Sequence, residues 1–148
     1  MDRDIIFVGL DVHKATVAVA LAPDGRSNEI RFLGSVPHRP GAMGDLGKRL
    51  QKQHPEARLS FCYEAGSCGY GLARELTDAG YECLVIAPSL IPTRPGDHIK
   101  TDRRDAISLA KMHRAGELTT VWVPDTSHEA VRDLVRAREA AMYWRNRA

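Results

Sequence analysis

The 148-residue sequence lacks any apolar run near the ~20 residues of a membrane span, and its charged start, Met1-Asp2-Arg3-Asp4, lacks a secretory signal pattern. A cytoplasmic protein with no membrane partner is therefore expected. Cysteine is scarce. Cys62, Cys68 and Cys83 are odd in number, have no zinc-type spacing and lie in or beside apolar runs, so they read as reduced structural thiols. The six histidines include no pair at i, i+4, which excludes a helical zinc site, and no metal site built on His or Cys is expected. A net charge of +2 is too small to argue for a nucleic-acid partner, so only the distribution of charge can do so.

What is present fits one globular domain. Hydrophobic residues make up 43% and charged residues 27%, and the length provides a full core but not a second complete domain. Ile5 to Leu10 is a continuous apolar run, the mark of a strand covered on both faces, and Asp11 follows where it emerges. Ala15 to Ala22 and Ile30 to Val36 read as two further strands, with Pro23-Asp24-Gly25 as a turn between them. The short connections predict an antiparallel meander with Asp11 at its first bend.

From Pro40 a short amphipathic helix is expected on Met43, Leu46 and Leu50, weakened by Gly44 and Gly47. Leu59 to Tyr63 is a fourth strand ending on Glu64, a helix follows from about Tyr70 to Ala79, and Glu82 to Ala87 is a fifth strand. Pro88 to Ile99 holds three prolines and one glycine and reads as a stiff loop. Thr101 then caps a helix from Asp102 to about Ala115, ended by Gly116. Thr120 to Val123 is expected as a short edge strand. A last helix starts at the capping box Thr126-Ser127-His128-Glu129, with a narrow apolar stripe on Val131, Leu134, Val135, Ala141 and Met142.

Three meander strands, then helix, strand, helix, strand, helix, is the element order of the RNase H-like fold, an α/β class with a mixed five-stranded sheet and flanking helices. There the first and fourth strands lie side by side and parallel, so Asp11 and Glu64 converge at their carboxyl ends. Asp102 and Asp105, three residues apart, share a helical face, their Cβ atoms roughly 5–6 Å apart. Four carboxylates in one place repel unless divalent cations neutralise them. Mg²⁺, or Mn²⁺ in its place, takes oxygen ligands, and two such ions serve phosphodiester displacement. Arg94, His98, Lys100, Arg103 and Arg104 form a local basic cluster suited to a sugar-phosphate backbone, and Lys14 is a further phosphate candidate. His13 otherwise reads as an exposed bend residue, and His54 and His113 as surface groups.

Val8-Gly9-Leu10-Asp11-Val12-His13-Lys14, Tyr63-Glu64-Ala65 and Lys100-Thr101-Asp102-Arg103-Arg104-Asp105-Ala106 resemble the amino-terminal DEDD domain of bacterial insertion-sequence transposases of the bridge-RNA-guided recombinase family, a domain similar to the RuvC Holliday-junction resolvases. The resemblance covers nearly the whole chain. It implies that Asp11, Glu64, Asp102 and Asp105 are the catalytic, metal-binding tetrad of a DNA transposase guided by a structured RNA, homo-oligomeric at full length and nucleoid-associated when acting. It also implies a second domain with a serine nucleophile, reached through a coiled coil. Residues 1–125 are then the RNase H-like catalytic domain and 126–148 the start of that coiled-coil helix, truncated, so the fragment is expected to fall short of full recombination. Two other readings compete: a non-catalytic RNA-binding or assembly module, and an actin-like kinase or ATPase lobe. The latter would need glycines at the first bend, where Val12-His13-Lys14 provides none.

Overall fold

Ile5–Val12 forms β1, the central strand of a five-stranded sheet in the computed structural model, which describes residues 4–25, 29–66, 68–88, 101–124 and 126–147. β2 (Thr16–Pro23) lies antiparallel on one side of β1, and β3 (Arg31–Pro37) lies antiparallel to β2. On the other side β4 (Arg58–Glu64) runs parallel to β1, and β5 (Glu82–Ile86) runs parallel to β4. The resulting order, β3-β2-β1-β4-β5, is the one required by the RNase H-like fold. Both parallel pairings are reached through helices, α1 (Ala42–Gln53) before β4 and α2 (Gly71–Asp78) before β5.

The two faces of the sheet are packed differently, and the difference is written into β2. Its large residues Val17, Val19 and Leu21 join Val8, Leu10, Phe61 and Tyr63 in the core beneath α1 and α2, where Met43, Leu46, Leu50, Leu72 and Leu76 meet them. Its small residues Ala18, Ala20 and Ala22 face the opposite way, against Ala106 and Ala110 of α3 (Asp102–Ala115). Alternation of side-chain size along a strand buried on both faces therefore brings one helix unusually close. Gly9 completes that close approach, since a Cβ there would overlap the Ala106 carbonyl oxygen and stand 2.5 Å from Ala110 N.

Helix α3 matches its expected bounds because both ends are specified chemically. Thr101 Oγ1 accepts the Arg104 N–H at 3.1 Å, and Gly116 takes the left-handed conformation at φ 71° that ends the helix. Farther along, the structure corrects the expected edge strand at Thr120 to Val123. A single antiparallel bridge, Ile86 to Thr120, forms there, made by the bonds from Val121 N–H to Val85 O and from Ala87 N–H to Thr119 O, and Pro124, with no N–H to give, soon follows. α4 (Thr126–Arg147) carries exposed Val131, Leu134, Val135, Met142, Tyr143 and Trp144.

Candidate metal centre

Side chains of β1 and β4 that face α3 pair with it in steps. On β4, Ser60 meets His113 and Cys62 meets the Leu109 carbonyl, two strand residues for every four helix residues. The step is natural, because two strand residues advance about 6.7 Å and four helical residues about 6.0 Å. By the same step the next residues in the series are Glu64 and Asp105. On β1, Phe7 stacks edge-on against His113 and Gly9 lies under Ala106 and Ala110, so Asp11 comes next and faces the amino end of α3. Leu10 and Tyr63 are register partners, which puts Asp11 and Glu64 at neighbouring parallel strand ends on one face.

Two of the four carboxylates meet on a residue that the sequence reading had left as an exposed bend. His13 Nε2 lies 2.7 Å from Asp11 Oδ2 and 3.0 Å from Asp102 Oδ1. The Asp11 side chain is only 13% exposed, whereas Asp102 is 58% exposed, so Asp11 is the anchored member of the pair. The hydrogen bond to Asp11 holds the His13 imidazolium above its ordinary pKa; burial opposes it in part, and the charges of Asp11, Asp102 and Asp105 add to it. Asp11, His13 and Asp102 offer three ligand atoms within 4.8 Å of one another, a grouping that the sequence, from which no metal site built on His or Cys is expected, does not single out. The signal available was Asp-x-His leading into a short strand connection, which folds the imidazole back over the aspartate.

The bend is itself tied down. His13 N–H donates to Thr16 O at 2.9 Å, His38 N–H donates to Ala15 O at 3.0 Å, and the His38 ring donates through Nδ1 to His13 O at 2.6 Å. Lys14 lines an open cleft of about 480 Å³ with Val12, His13, His38 and Cys68. A second cleft, of about 420 Å³, lies between Ala65, Gly66, Cys68, Gly69 and Tyr70 after Glu64 and Arg132, Asp133 and Arg136 of α4.

The remaining expected residues are placed unevenly. Glu64 is exposed at the end of β4, and Asp105 is half-buried in the first turn of α3. The Arg103 guanidinium lies over the Phe32 ring, 5.4 Å from its centre, directed toward β3, while Arg104 is exposed. Arg94, His98 and Lys100 lie outside the described residues. His113 is not a surface group: it is buried, and its Nε2 stands 2.9 Å from Ser60 Oγ, which in turn lies 2.9 Å from Glu82 Oε2. The carboxylate accepts the serine proton, so His113 donates through Nε2–H. Its place at i+7 from Ala106, on the apolar stripe through Leu109 and Ala110, was the overlooked signal. All three thiols are free, and burial pushes Cys62 far up and Cys83 up to about 12, as inert core groups require.

Comparison with known proteins gives a match to a transposase family model, the DEDD transposases of the IS110 type, over residues 8–148. The chain is 54% identical over 139 residues to y4qE of Sinorhizobium fredii, which carries a transposase name, covering 92% of this chain and 34% of that protein. It is 38% identical over 136 residues to the transposase for insertion sequence element IS1533 of Leptospira borgpetersenii, covering 91% of this chain and 38% of that protein. It thus spans little more than a third of either relative. Among solved structures it is similar to Thermus thermophilus RuvC, with a TM-score of 0.48 at 11% identity over 78% of this chain and 99% of that one. RuvC of the same species in complex with a Holliday junction substrate gives a TM-score of 0.46 at 11% identity and the same coverage. Among the described residues no helix is long and apolar enough to cross a membrane.

Proposed function

The chain belongs to the DEDD transposase family of the IS110 type, and on that premise we propose that Asp11, Glu64, Asp102 and Asp105 hold Mg²⁺ or Mn²⁺ for phosphodiester strand cleavage and transfer on DNA. The observation that carries this reading is the meeting of Asp11 and Asp102 on one imidazole nitrogen, at the sheet end where Glu64 also emerges. Carboxylates drawn together from β1, β4 and α3 repel one another, and positive charge is what relieves them. A protonated His13 supplies part of it until a cation takes the proton's place. A hard divalent cation suits the rest of the donor set, which is all carboxylate oxygen.

When bound, such ions stabilise the attacking and leaving oxygens of a phosphodiester displacement. The protein's own part is placement. Asp11 is fixed by the ladder of β1, and Asp102 and Asp105 are fixed by a capped helix seated directly on that strand. Lys14 and Arg104 stand exposed beside the site, where a sugar-phosphate backbone would lie; the sequence adds Arg94, His98 and Lys100 as further candidates for that backbone.

The finer reading is that a structured RNA guides the reaction, that the full-length protein is a homo-oligomer, and that a serine-bearing domain completes the chemistry. The three motifs support it, as does the greater length of the two transposase relatives. Residues 1–125 are then the metal-binding domain, and the exposed apolar side chains of α4 support reading 126–148 as the start of a coiled coil.

The test is a calorimetric titration of Mg²⁺ into the chain and into Asp102→Asn. Affinity should fall at least about tenfold in the variant, the least that loss of even an outer-shell partner commonly costs. Equal affinity would remove Asp102 from the site.

A further inference from the structure

We infer that His13 is itself a ligand of the cation through Nε2, and that this nitrogen turns the site's preference toward first-row transition dications over Mg²⁺. The inference rests on the metal reading above and adds to it a residue and a selectivity that four carboxylates do not supply.

Geometry comes first. Two ligand atoms each about 2.1 Å from an octahedral ion and at right angles to one another lie about 3.0 Å apart. His13 Nε2 stands 2.7 Å from Asp11 Oδ2 and 3.0 Å from Asp102 Oδ1, the spacing of neighbouring vertices around one ion. A hydrogen-bond account satisfies the arrangement less well. Nε2 carries at most one proton, which two carboxylates would have to share in a three-centre bond, whereas a cation between the three atoms serves all of them fully.

Preorganisation is the second argument. The His13 backbone is held from both sides, by its N–H on Thr16 O and by the His38 ring on its carbonyl. Asp11, two residues earlier, belongs to a strand, and Asp102 to a capped helix. Three rigid supports thus converge on one point, which is how a metal site gains affinity without reorganising.

Chemistry supplies the preference. Mg²⁺ strongly favours oxygen ligands, while imidazole suits the later first-row dications and lowers the negative charge a site must gather. A mixed Asp–His–Asp set therefore loses little with Mg²⁺ when the nitrogen is removed. It loses more with a metal that values nitrogen.

The experiment loads the 148-residue chain with Mn²⁺ as the paramagnetic probe and reads electron spin echo modulation from ligated ¹⁴N, alongside Ni²⁺ and Mg²⁺ affinities. The unmodified chain should show imidazole ¹⁴N modulation, and His13→Ala and His13→Gln should both lose it. In His13→Ala the ratio of Ni²⁺ to Mg²⁺ affinity should fall at least about tenfold. His13→Gln keeps a polar group in the bend, so loss of modulation in both variants speaks for ligation rather than misfolding. Mn²⁺ bound without ¹⁴N modulation, with binding still weakened by Asp102→Asn, would overturn the inference and leave the carboxylate site standing. Equal tightening of both ions in His13→Ala would also overturn it, by making the imidazole a competing cation. Failure of the unmodified chain to bind either ion would overturn both readings together.

Discussion

Replacing Gly9 with alanine adds one methyl group where α3 bears on the backbone of β1. That carbon would overlap the Ala106 carbonyl oxygen and lie 2.5 Å from Ala110 N and 3.1 Å from its Cα, whereas ordinary contact begins at 3.4 Å. Helix backbone cannot swing aside as a side chain can, so α3 must retreat by about 0.9 Å, the difference between 3.4 and 2.5 Å. Overpacking of this kind costs about 1–3 kcal/mol. The retreat also carries Asp102 away from His13, stretching a 3.0 Å contact toward 4 Å, beyond hydrogen-bond reach. Urea unfolding and Mn²⁺ titration of Gly9→Ala should therefore fall together, by about 1–3 kcal/mol in stability and by at least about tenfold in affinity. Gly44, within α1, is the control, since a Cβ there meets only Glu75 Oε1 at 3.7 Å. Alanine at Gly44 should gain about 0.5–1 kcal/mol as a helix interior does and leave metal binding alone. Wild-type stability and affinity in Gly9→Ala would refute the claim that helix-on-strand contact sets the site.

Two further outcomes follow from the same structure. Burial holds His113 below its ordinary value of 6.5, opposed in part by the Glu82 charge, so the folded protein binds fewer protons there than the unfolded chain. Its contribution to stability is full above 6.5 and is lost as pH falls through the lower folded value, so urea midpoints should drop between about pH 7 and pH 5, and His113→Leu should flatten that drop. An identical pH profile in the variant would contradict the assignment. For DNA binding, log affinity should fall linearly with log salt, and Lys14→Ala and Arg104→Ala should each reduce the slope by about 0.9 if each neutralises one phosphate. An unchanged slope would remove that residue from the interface.

The elements were legible where local chemistry and periodicity agreed. Thr101 and Gly116 bracketed α3 to the residue, and the apolar runs of β1, β2 and β4 gave a sheet whose parallel pair carries Asp11 and Glu64 to one end. Thr120 to Val123 misled because β-forming residues do not make a strand without a ladder to join, and only one bridge to Ile86 is available. His13 was illegible because its role depends on the path of a three-residue bend and on His38, 25 residues away, neither of which leaves a periodic trace. His113 did leave one, but a histidine on an apolar stripe reads as a surface group until its buried partners Ser60 and Glu82 are known. The closeness of α3 to β1 was written as Gly9 opposite Ala106 and Ala110, a match that only the folded pairing reveals.

The central claim, that the ends of β1 and β4 and the start of α3 form one cation site, is tested most directly by anomalous scattering from crystals of the chain soaked in Mn²⁺. The account predicts a peak within ligand distance of Asp11 and Asp102, with Glu64 and Asp105 around it, and loss of that peak in Asp11→Asn. A Mn²⁺ peak elsewhere, or none there while the 2.7 Å bond from His13 to Asp11 persists, would contradict it.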